Sequence, residues 1–301
     1  MDILVKALSL VAIIAVGFWI KRLGWVRASD FELFAKIVLR ITLPCALITS
    51  FNQHQIPLPL LGLAGLGLAV NLVLQVTALT MERRRGRQAQ AFAVINLPSF
   101  NMGAFATPYL AGFMGPAAVV QASIFDIGNA LGAAGIGYAW GTGLADESRR
   151  TTVGRFLRAM FSSVVFDVYI ALLLLNLAHV RLPDAVITFT STVGAANTFL
   201  AMLMIGVGLE VGLDGDRFRQ AGRYLGVRYL VCALCAAAVW FLPVPREYRV
   251  LVAMVLFAPV ASMTPGFTAQ IRGDVQLSTL MNSVSILVGM VMLPVVLLVL
   301  G

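Results

Sequence analysis

The sequence predicts an all-α integral membrane protein with ten transmembrane helices. Of its 301 residues, 59% are hydrophobic and 12% are charged, whereas soluble chains are about 25% charged. This composition excludes a soluble domain and a disordered chain. Long stretches lack any Asp, Glu, Lys or Arg, and they do not alternate between apolar and polar residues as barrel strands do. These stretches are 41–81, 88–125, 185–209, 250–271 and 275–301.

Ten apolar segments are long enough to cross a bilayer, whose core of about 30 Å requires about 20 helical residues. The first segment ends at Lys21 and Arg22 without a small-residue cleavage site, so we expect a membrane helix rather than a signal peptide. The predicted helices cover residues 3–20, 33–51, 60–80, 91–112, 116–141, 157–179, 185–209, 223–242, 248–271 and 276–300.

Basic residues are distributed unequally between the two sets of loops. The loops after odd-numbered helices, with the start of helix 8, contain sixteen Lys or Arg residues: Lys21, Arg22, Arg27, Arg83, Arg84, Arg85, Arg87, Arg149, Arg150, Arg155, Arg158, Arg217, Arg219, Arg223, Arg228 and Arg272. The loops after even-numbered helices contain three: Arg181, Arg246 and Arg249. Since membrane proteins retain basic residues in the cytoplasm, both termini are predicted to lie outside. The net charge of +8 then indicates a lipid bilayer rather than nucleic acid as partner.

A polar stretch divides the chain into two halves with five helices each. Residues 142–156 are predicted to form a cytoplasmic linker between a first repeat, 1–141, and a second repeat, 157–301. Because five is odd, related halves would have opposite orientations, and inverted repeats are common in secondary transporters.

The fourth helix of each half is rich in Pro, Gly, Ser, Thr and Asn, at 96–108 and 258–268. Proline removes a backbone donor, and lipid cannot satisfy the freed carbonyl groups, so a broken helix must face protein or a wet cavity. Two breaks at corresponding positions predict a central binding site, where helix N-termini suit a carboxylate. Ordinary kinked helices packed through small residues are the alternative.

Three segments carry a resemblance to a known family. They are residues 17–48, which include Arg22-Leu23-Gly24 and Leu43-Pro44, then Asn101-Met-Gly-Ala-Phe-Ala-Thr-Pro108, and Ala258-Pro-Val-Ala-Ser262. Together they resemble bacterial members of the auxin efflux carrier family, within the bile acid, arsenite and riboflavin transporter superfamily. The resemblance spans essentially the whole chain. It departs at Ala106, where the family usually has Gly, and at Pro265, which is an extra proline.

The resemblance implies a fold and a function. Predicted helices 1, 2, 6 and 7 would form a scaffold, and helices 3–5 and 8–10 would form a transport domain in which the broken helices 4 and 9 cross. The implied function is secondary active transport of a small organic anion, malonate-like, malate-like or auxin-like, by elevator-type alternating access in a bacterial inner membrane. A homodimer through the scaffold helices is a further expectation. The alternative is a sodium- or proton-coupled carrier of an amphipathic or neutral solute.

The predicted substrate-binding residues lie in or beside the two breaks. Since the broken segments contain no Arg or Lys to hold a carboxylate, recognition of an anion would depend on helix N-termini and polar side chains, which leaves a neutral or amphipathic solute open. The predicted residues are Ser99, Asn101, Thr107, Pro108, Pro259, Ser262, Thr264 and Asn282.

Two carboxylates fall at mid-depth in predicted helices. Asp126 lies near Gln121 and Asn129 in helix 5, and an intramembrane acid is a functional hypothesis by default. These three residues are predicted to bind a coupling proton or sodium ion, and a structural Asp paired with an Asn is the alternative. Asp167 in helix 6 is predicted to be structural, through a hydrogen bond to Tyr169 or to a neighbouring helix.

An enzyme is not predicted, and no catalytic or metal-binding residues are expected. An intramembrane hydrolase using Asp126 and Asp167 is the alternative, because two carboxylates that share a proton can activate water, but a Gly-x-Gly-Asp signature is absent. There is no nucleotide-binding Lys motif. The three cysteines have apolar neighbours, which favours neither a disulfide framework nor zinc. We expect no cofactor besides the coupling ion.

Overall fold

A computed structural model describes residues 2–146, 161, 163–210 and 215–301. Within these ranges the chain is helical and contains no strand. The α-helices are α1 (Asp2–Arg22), α2 (Phe31–Ile37), α3 (Leu43–Gln53), α4 (Gly62–Met81), α5 (Arg87–Asn96), α6 (Thr107–Met114), α7 (Pro116–Ala130), α8 (Tyr138–Ala145), α9 (Val164–Leu177), α10 (Asp184–Ala195), α11 (Asn197–Gly208), α12 (Gly215–Trp240), α13 (Arg246–Leu256), α14 (Thr264–Gln270) and α15 (Val275–Leu300).

Short helical segments of different pitch connect several of these helices. Wider π-helical turns join α2 to α3 at Val38–Thr42, precede α6 at Met102–Ala106, and join α7 to α8 at Leu131–Gly137. Tighter 3₁₀ turns lie at Ala28–Asp30 and Leu58–Leu61. π-helical turns are rare overall but are found frequently at functional sites. The turn at Met102–Ala106 lies within the predicted broken segment 96–108.

Six helical stretches of the described chain are long and apolar enough to cross a membrane. The helix Val164–Leu177 is apolar but shorter. The described chain is therefore all-α, and its six long apolar helical stretches fit a multi-pass membrane protein, whereas the count of ten membrane helices stays a prediction. The six stretches are Ile3–Arg22, Leu58–Met81, Pro116–Ala145, Asp184–Gly208, Gly215–Trp240 and Val275–Leu300.

Several boundaries differ from the sequence prediction, among them the start of predicted helix 6, which is 157 in the prediction, whereas α9 begins at Val164. The predicted helix 8 starts at 223, but α12 begins at Gly215, because the polar residues of its first turns still form helix. Of the predicted linker 142–156, residues 142–145 belong to the end of α8, and residues 147–156 lie outside the described ranges.

The first compact unit consists of residues 1–63, 102–124 and 161–209. In it, α1 and α11 approach closely at two glycines. A Cβ atom at Gly17 would lie 2.3 Å from the carbonyl oxygen of Leu203, and a Cβ at Gly206 would lie 2.1 Å from that of Ile14. Small residues thus allow the helix backbones to touch, as is common in membrane bundles.

The second compact unit consists of residues 64–101, 125–160 and 210–301. Here α4 and α7 approach closely at Gly67 and Gly128, where added Cβ atoms would lie 2.3 Å from Phe125 O and 1.8 Å from Ala64 O. Helix α12 packs against α13 and α15, and α14 packs against α15 and α5. The predicted scaffold and transport helices, and the two repeats, stay predictions, because compactness does not reveal which helices move.

The N-terminus of α15 is capped by Asp274. Its carboxylate accepts a hydrogen bond from Leu277 N at 2.9 Å and one from Arg217 Nε at 3.1 Å. Partial burial raises the pKa of the Asp274 carboxyl, but these hydrogen bonds and the guanidinium charge together lower it by more, so the pKa lies below its ordinary value. The carboxylate therefore stabilises the folded protein at neutral pH.

Candidate functional site

The segments that contain Pro98 and Pro259, both in the second unit, are interrupted helices. Helix α5 ends at Asn96 and is followed by a non-helical stretch, 97–101. Helix α13 ends at Leu256, and helical structure resumes at Thr264. In both cases the interruption contains a proline, which lacks the N–H group that the helix would need. We call residues 97–101 and 257–263 the first and second broken stretch.

The two broken stretches are joined directly by hydrogen bonds. Asn101 N donates to Pro259 O at 2.8 Å, and Asn101 Nδ2 donates to Ser262 Oγ at 2.8 Å. Ala261 N donates to Ser99 Oγ at 3.4 Å. Side chains that the sequence predicts as substrate-binding thus meet at one place, and Ser262 is the half-buried member of the set.

A buried arginine of α12 links the ends of both interrupted helices. Arg228 is fully buried. One terminal nitrogen donates to Leu97 O, and the other donates to Ala258 O at 3.1 Å. Each of these carbonyl groups belongs to the residue just before a proline, Pro98 or Pro259, so the arginine binds the two stretches in the same register. The guanidinium carbon also lies 4.3 Å from the ring centre of Phe100.

The backbone of the first broken stretch is satisfied by Asn129 of α7. Its side-chain amide donates to Phe100 O at 3.1 Å and accepts from Phe100 N at 3.2 Å. The same amide donates to Asp126 Oδ1 at 2.7 Å and accepts from Asn71 Nδ2 at 3.2 Å. All four hydrogen-bonding positions of Asn129 are therefore occupied, and it supports the break from the side.

The second broken stretch has a matching support from α15. Asn282 Nδ2 donates to Val260 O at 2.6 Å, and Val260 N donates to Ser285 Oγ at 2.9 Å. In each half, polar side chains of the second helix after the break, α7 or α15, thus replace hydrogen bonds that the interrupted helix has lost.

A second polar layer lies on the α5 side of the break. Asn96 Nδ2 donates to Thr268 Oγ1 at 2.9 Å, and Ser278 Oγ donates to Asn96 Oδ1. Thr264 is buried, and its hydroxyl donates to Ala261 O at 2.9 Å. Thr264, which the sequence predicts as a substrate-binding residue, therefore stabilises the second broken stretch through this hydrogen bond.

Three predicted residues belong to the first unit. Thr107 and Pro108 lie at the start of α6, and Gln121 lies on α7. Thr107 lines a cavity of about 110 Å³, whose other polar side chains are Ser50, Asn197 and Thr198. The Thr107 hydroxyl is buried without a hydrogen-bond partner among the described residues.

The predicted site residues therefore divide between the units. The second unit contains Ser99, Asn101, Asp126, Asn129, Pro259, Ser262, Thr264 and Asn282. Asp126 is buried, whereas Asp167, which belongs to the first unit, is exposed. In the described chain, no group of three or more His, Cys, Asp or Glu residues could hold a metal ion.

The sequence pattern misses the most central residue, Arg228. The count of basic residues in the loops assigns Arg228, with Arg223, to the start of predicted helix 8, but α12 begins at Gly215, thirteen residues before Arg228. One signal was available, since Arg228 is flanked by the uncharged runs 224–227 and 229–245. A single charge inside an apolar helix indicates a polar environment. Asn71 and Gln75 of α4, which are buried, are likewise polar residues inside an otherwise apolar helix.

A scan against protein-family models and a search of curated proteins gave no match to this chain. Function is therefore inferred from the residues and the geometry of the broken stretches.

Proposed function

We propose that this chain is a secondary active transporter that carries a small organic anion by alternating access, with substrate bound at the paired broken stretches. The observation that carries the proposal is the junction of two interrupted helices, one from each half of the chain, joined in one register by Asn101, Ser262 and Arg228. Interrupted helices whose backbone lines a cavity are the usual substrate sites of secondary transporters.

The chemistry of the junction supports a substrate with a carboxylate. Ser262 Oγ accepts from Asn101, and its own hydroxyl hydrogen has no acceptor among the described contacts. A half-buried hydroxyl that still has a donor hydrogen can bind a carboxylate oxygen. An amphipathic or neutral solute with a carbonyl oxygen is the competing substrate class.

The proposal includes the finer architecture that the sequence predicts. It has ten membrane helices in two inverted repeats, with both termini on the periplasmic side of a bacterial inner membrane. The matched support of Phe100 by Asn129 and of Val260 by Asn282 favours such a repeat. The resemblance to the auxin efflux carrier family favours an organic acid as substrate and a homodimer through the scaffold helices.

We further propose that any coupling proton or sodium ion acts at Asp126. This carboxylate is buried and hydrogen-bonded to Asn129, which also holds Phe100. A change of charge at Asp126 would thereby reach the first broken stretch through one side chain. Asn129 itself is expected to transmit the change rather than to bind the ion, since its amide is fully hydrogen-bonded.

The test is uptake of labelled malonate, malate and indole-3-acetate into proteoliposomes, with and without an inward proton or sodium gradient. We expect accumulation of at least one acid. Asn101→Ala should abolish it while the protein stays folded, because the variant removes the hydrogen bond to Ser262. Thr80→Ala, an exposed change in the same unit, is the matched control and should keep full uptake.

Each result has a defined meaning. Full uptake by folded Asn101→Ala would remove Asn101 from the site. Absence of uptake for all three acids would contradict the organic-anion class, and a screen for stabilisation by neutral solutes would then follow. Dependence on one gradient that Asp126→Asn removes would support the coupling role of Asp126.

A further inference from the structure

A full positive charge is buried at the junction without an acidic partner. Arg228 has no exposed surface, and no carboxylate of the described residues forms an ion pair with it. A buried charge is costly unless it is compensated. The compensation present here comes from two carbonyl groups and the face of the Phe100 ring.

These contacts also determine how the arginine can act. Both terminal nitrogens already donate to carbonyl groups, Leu97 O and Ala258 O. These carbonyls follow the C-terminal ends of α5 and α13, where helices carry partial negative charge. The guanidinium therefore offsets partial negative charge at the ends of both interrupted helices, and no described carboxylate forms an ion pair with it. Its Nε is buried without a hydrogen-bond partner.

We propose that Arg228 is the specificity-determining residue of the junction. Its fixed charge makes the neighbourhood of Asn101 and Ser262 attractive to anions and repellent to cations, while its two hydrogen bonds hold the broken stretches in register. Arg228 acts through the electric field and through position, so it need not touch the substrate. This inference deepens the proposed function, on which it depends for the identity of the site.

The charge can be measured without knowing the substrate. Ser262→Cys is introduced into a chain in which Cys45, Cys232 and Cys235 are replaced by Ala, so that one thiol remains. The thiol is allowed to react with methanethiosulfonates that carry a sulfonate, a trimethylammonium or a neutral methyl group. The ratio of the anionic to the cationic rate reports the local potential, and the neutral reagent reports access.

Two variants separate the charge from the shape of the arginine. Arg228→Gln keeps a hydrogen-bond donor and loses the charge, whereas Arg228→Lys keeps the charge and loses the planar fork. We expect Arg228→Gln to lower the rate ratio by at least about tenfold, and Arg228→Lys to leave it within about threefold of the Arg228 protein. An unchanged ratio in Arg228→Gln, or an equal fall in both variants, would overturn the proposal.

A measurement on the chain with Arg228 in place keeps the proposal testable if the variants do not fold. The rate ratio at Ser262→Cys should exceed that of free cysteine in solution. Equal ratios, or no reaction with the neutral reagent, would refute the inference. Because reactivity is measured rather than uptake, a failure here leaves the carrier proposal standing, and a lack of uptake leaves this result unaffected.

Discussion

A single methyl group at Gly128 should separate two helices that support the junction. A Cβ atom there would lie 1.8 Å from Ala64 O and 2.7 Å from Leu68 N, distances that real Cβ atoms essentially never show. Helix α4 or α7 must therefore shift by more than about 1 Å, and overpacking of this kind costs about 3 kcal/mol. The shift also breaks the hydrogen bond from Asn71 to Asn129, which adds about 1 kcal/mol.

The assay is thermal unfolding in detergent, followed by tryptophan fluorescence at one scan rate, because unfolding of large proteins is often irreversible. At about 2 °C per kcal/mol for a chain of this size, Gly128→Ala should lower the midpoint by about 8 °C. Gly65→Ala on α4, the helix against which Gly128 packs, is the matched control, since a Cβ there meets nothing within 4 Å. It should raise the midpoint by up to about 2 °C through better helix propensity. Equal midpoints for the two variants would refute the close-packing argument.

Two further changes test the junction and the helix cap. Asn129→Ala leaves the Phe100 N–H and C=O groups buried without partners, at a cost of about 1–3 kcal/mol each. The unfolding midpoint of this variant should therefore fall by about 6 °C, and its uptake should be lost. A midpoint equal to that of the wild type would contradict the role of Asn129 in supporting the break. Asp274→Asn should cost at most about 1 kcal/mol, since the carboxylate is 41% exposed. Because folding lowers the pKa of Asp274, its stabilisation is present above the ordinary carboxyl pKa of about 4 and disappears as the pH falls through the lowered pKa. The midpoint difference between wild type and Asp274→Asn should therefore vanish in acid, and a difference that is constant with pH would contradict the ion pair.

The helices and their interruptions follow from local chemistry that a sequence displays. Uncharged apolar runs favour membrane helices because the bilayer excludes unpaired backbone groups. Pro98 and Pro259 end the helical hydrogen bonding wherever the chain lies, since the ring has no N–H to donate. The interruptions after Asn96 and Leu256 were predictable for this reason.

The partners of the interrupted backbone depend on contacts between residues far apart in the chain. Nothing near Arg228 in the sequence indicates that its two terminal nitrogens bind Leu97 O, 131 residues away, and Ala258 O, 30 residues away. The sequence likewise predicts Asn129 as an ion ligand, whereas in the structure its amide is hydrogen-bonded to the backbone of Phe100. The sequence alone determined where the helices break, because proline lacks the backbone N–H group. Only the tertiary structure decided which side chains replace the lost hydrogen bonds and where the buried charge lies, because these partners depend on which helices pack together.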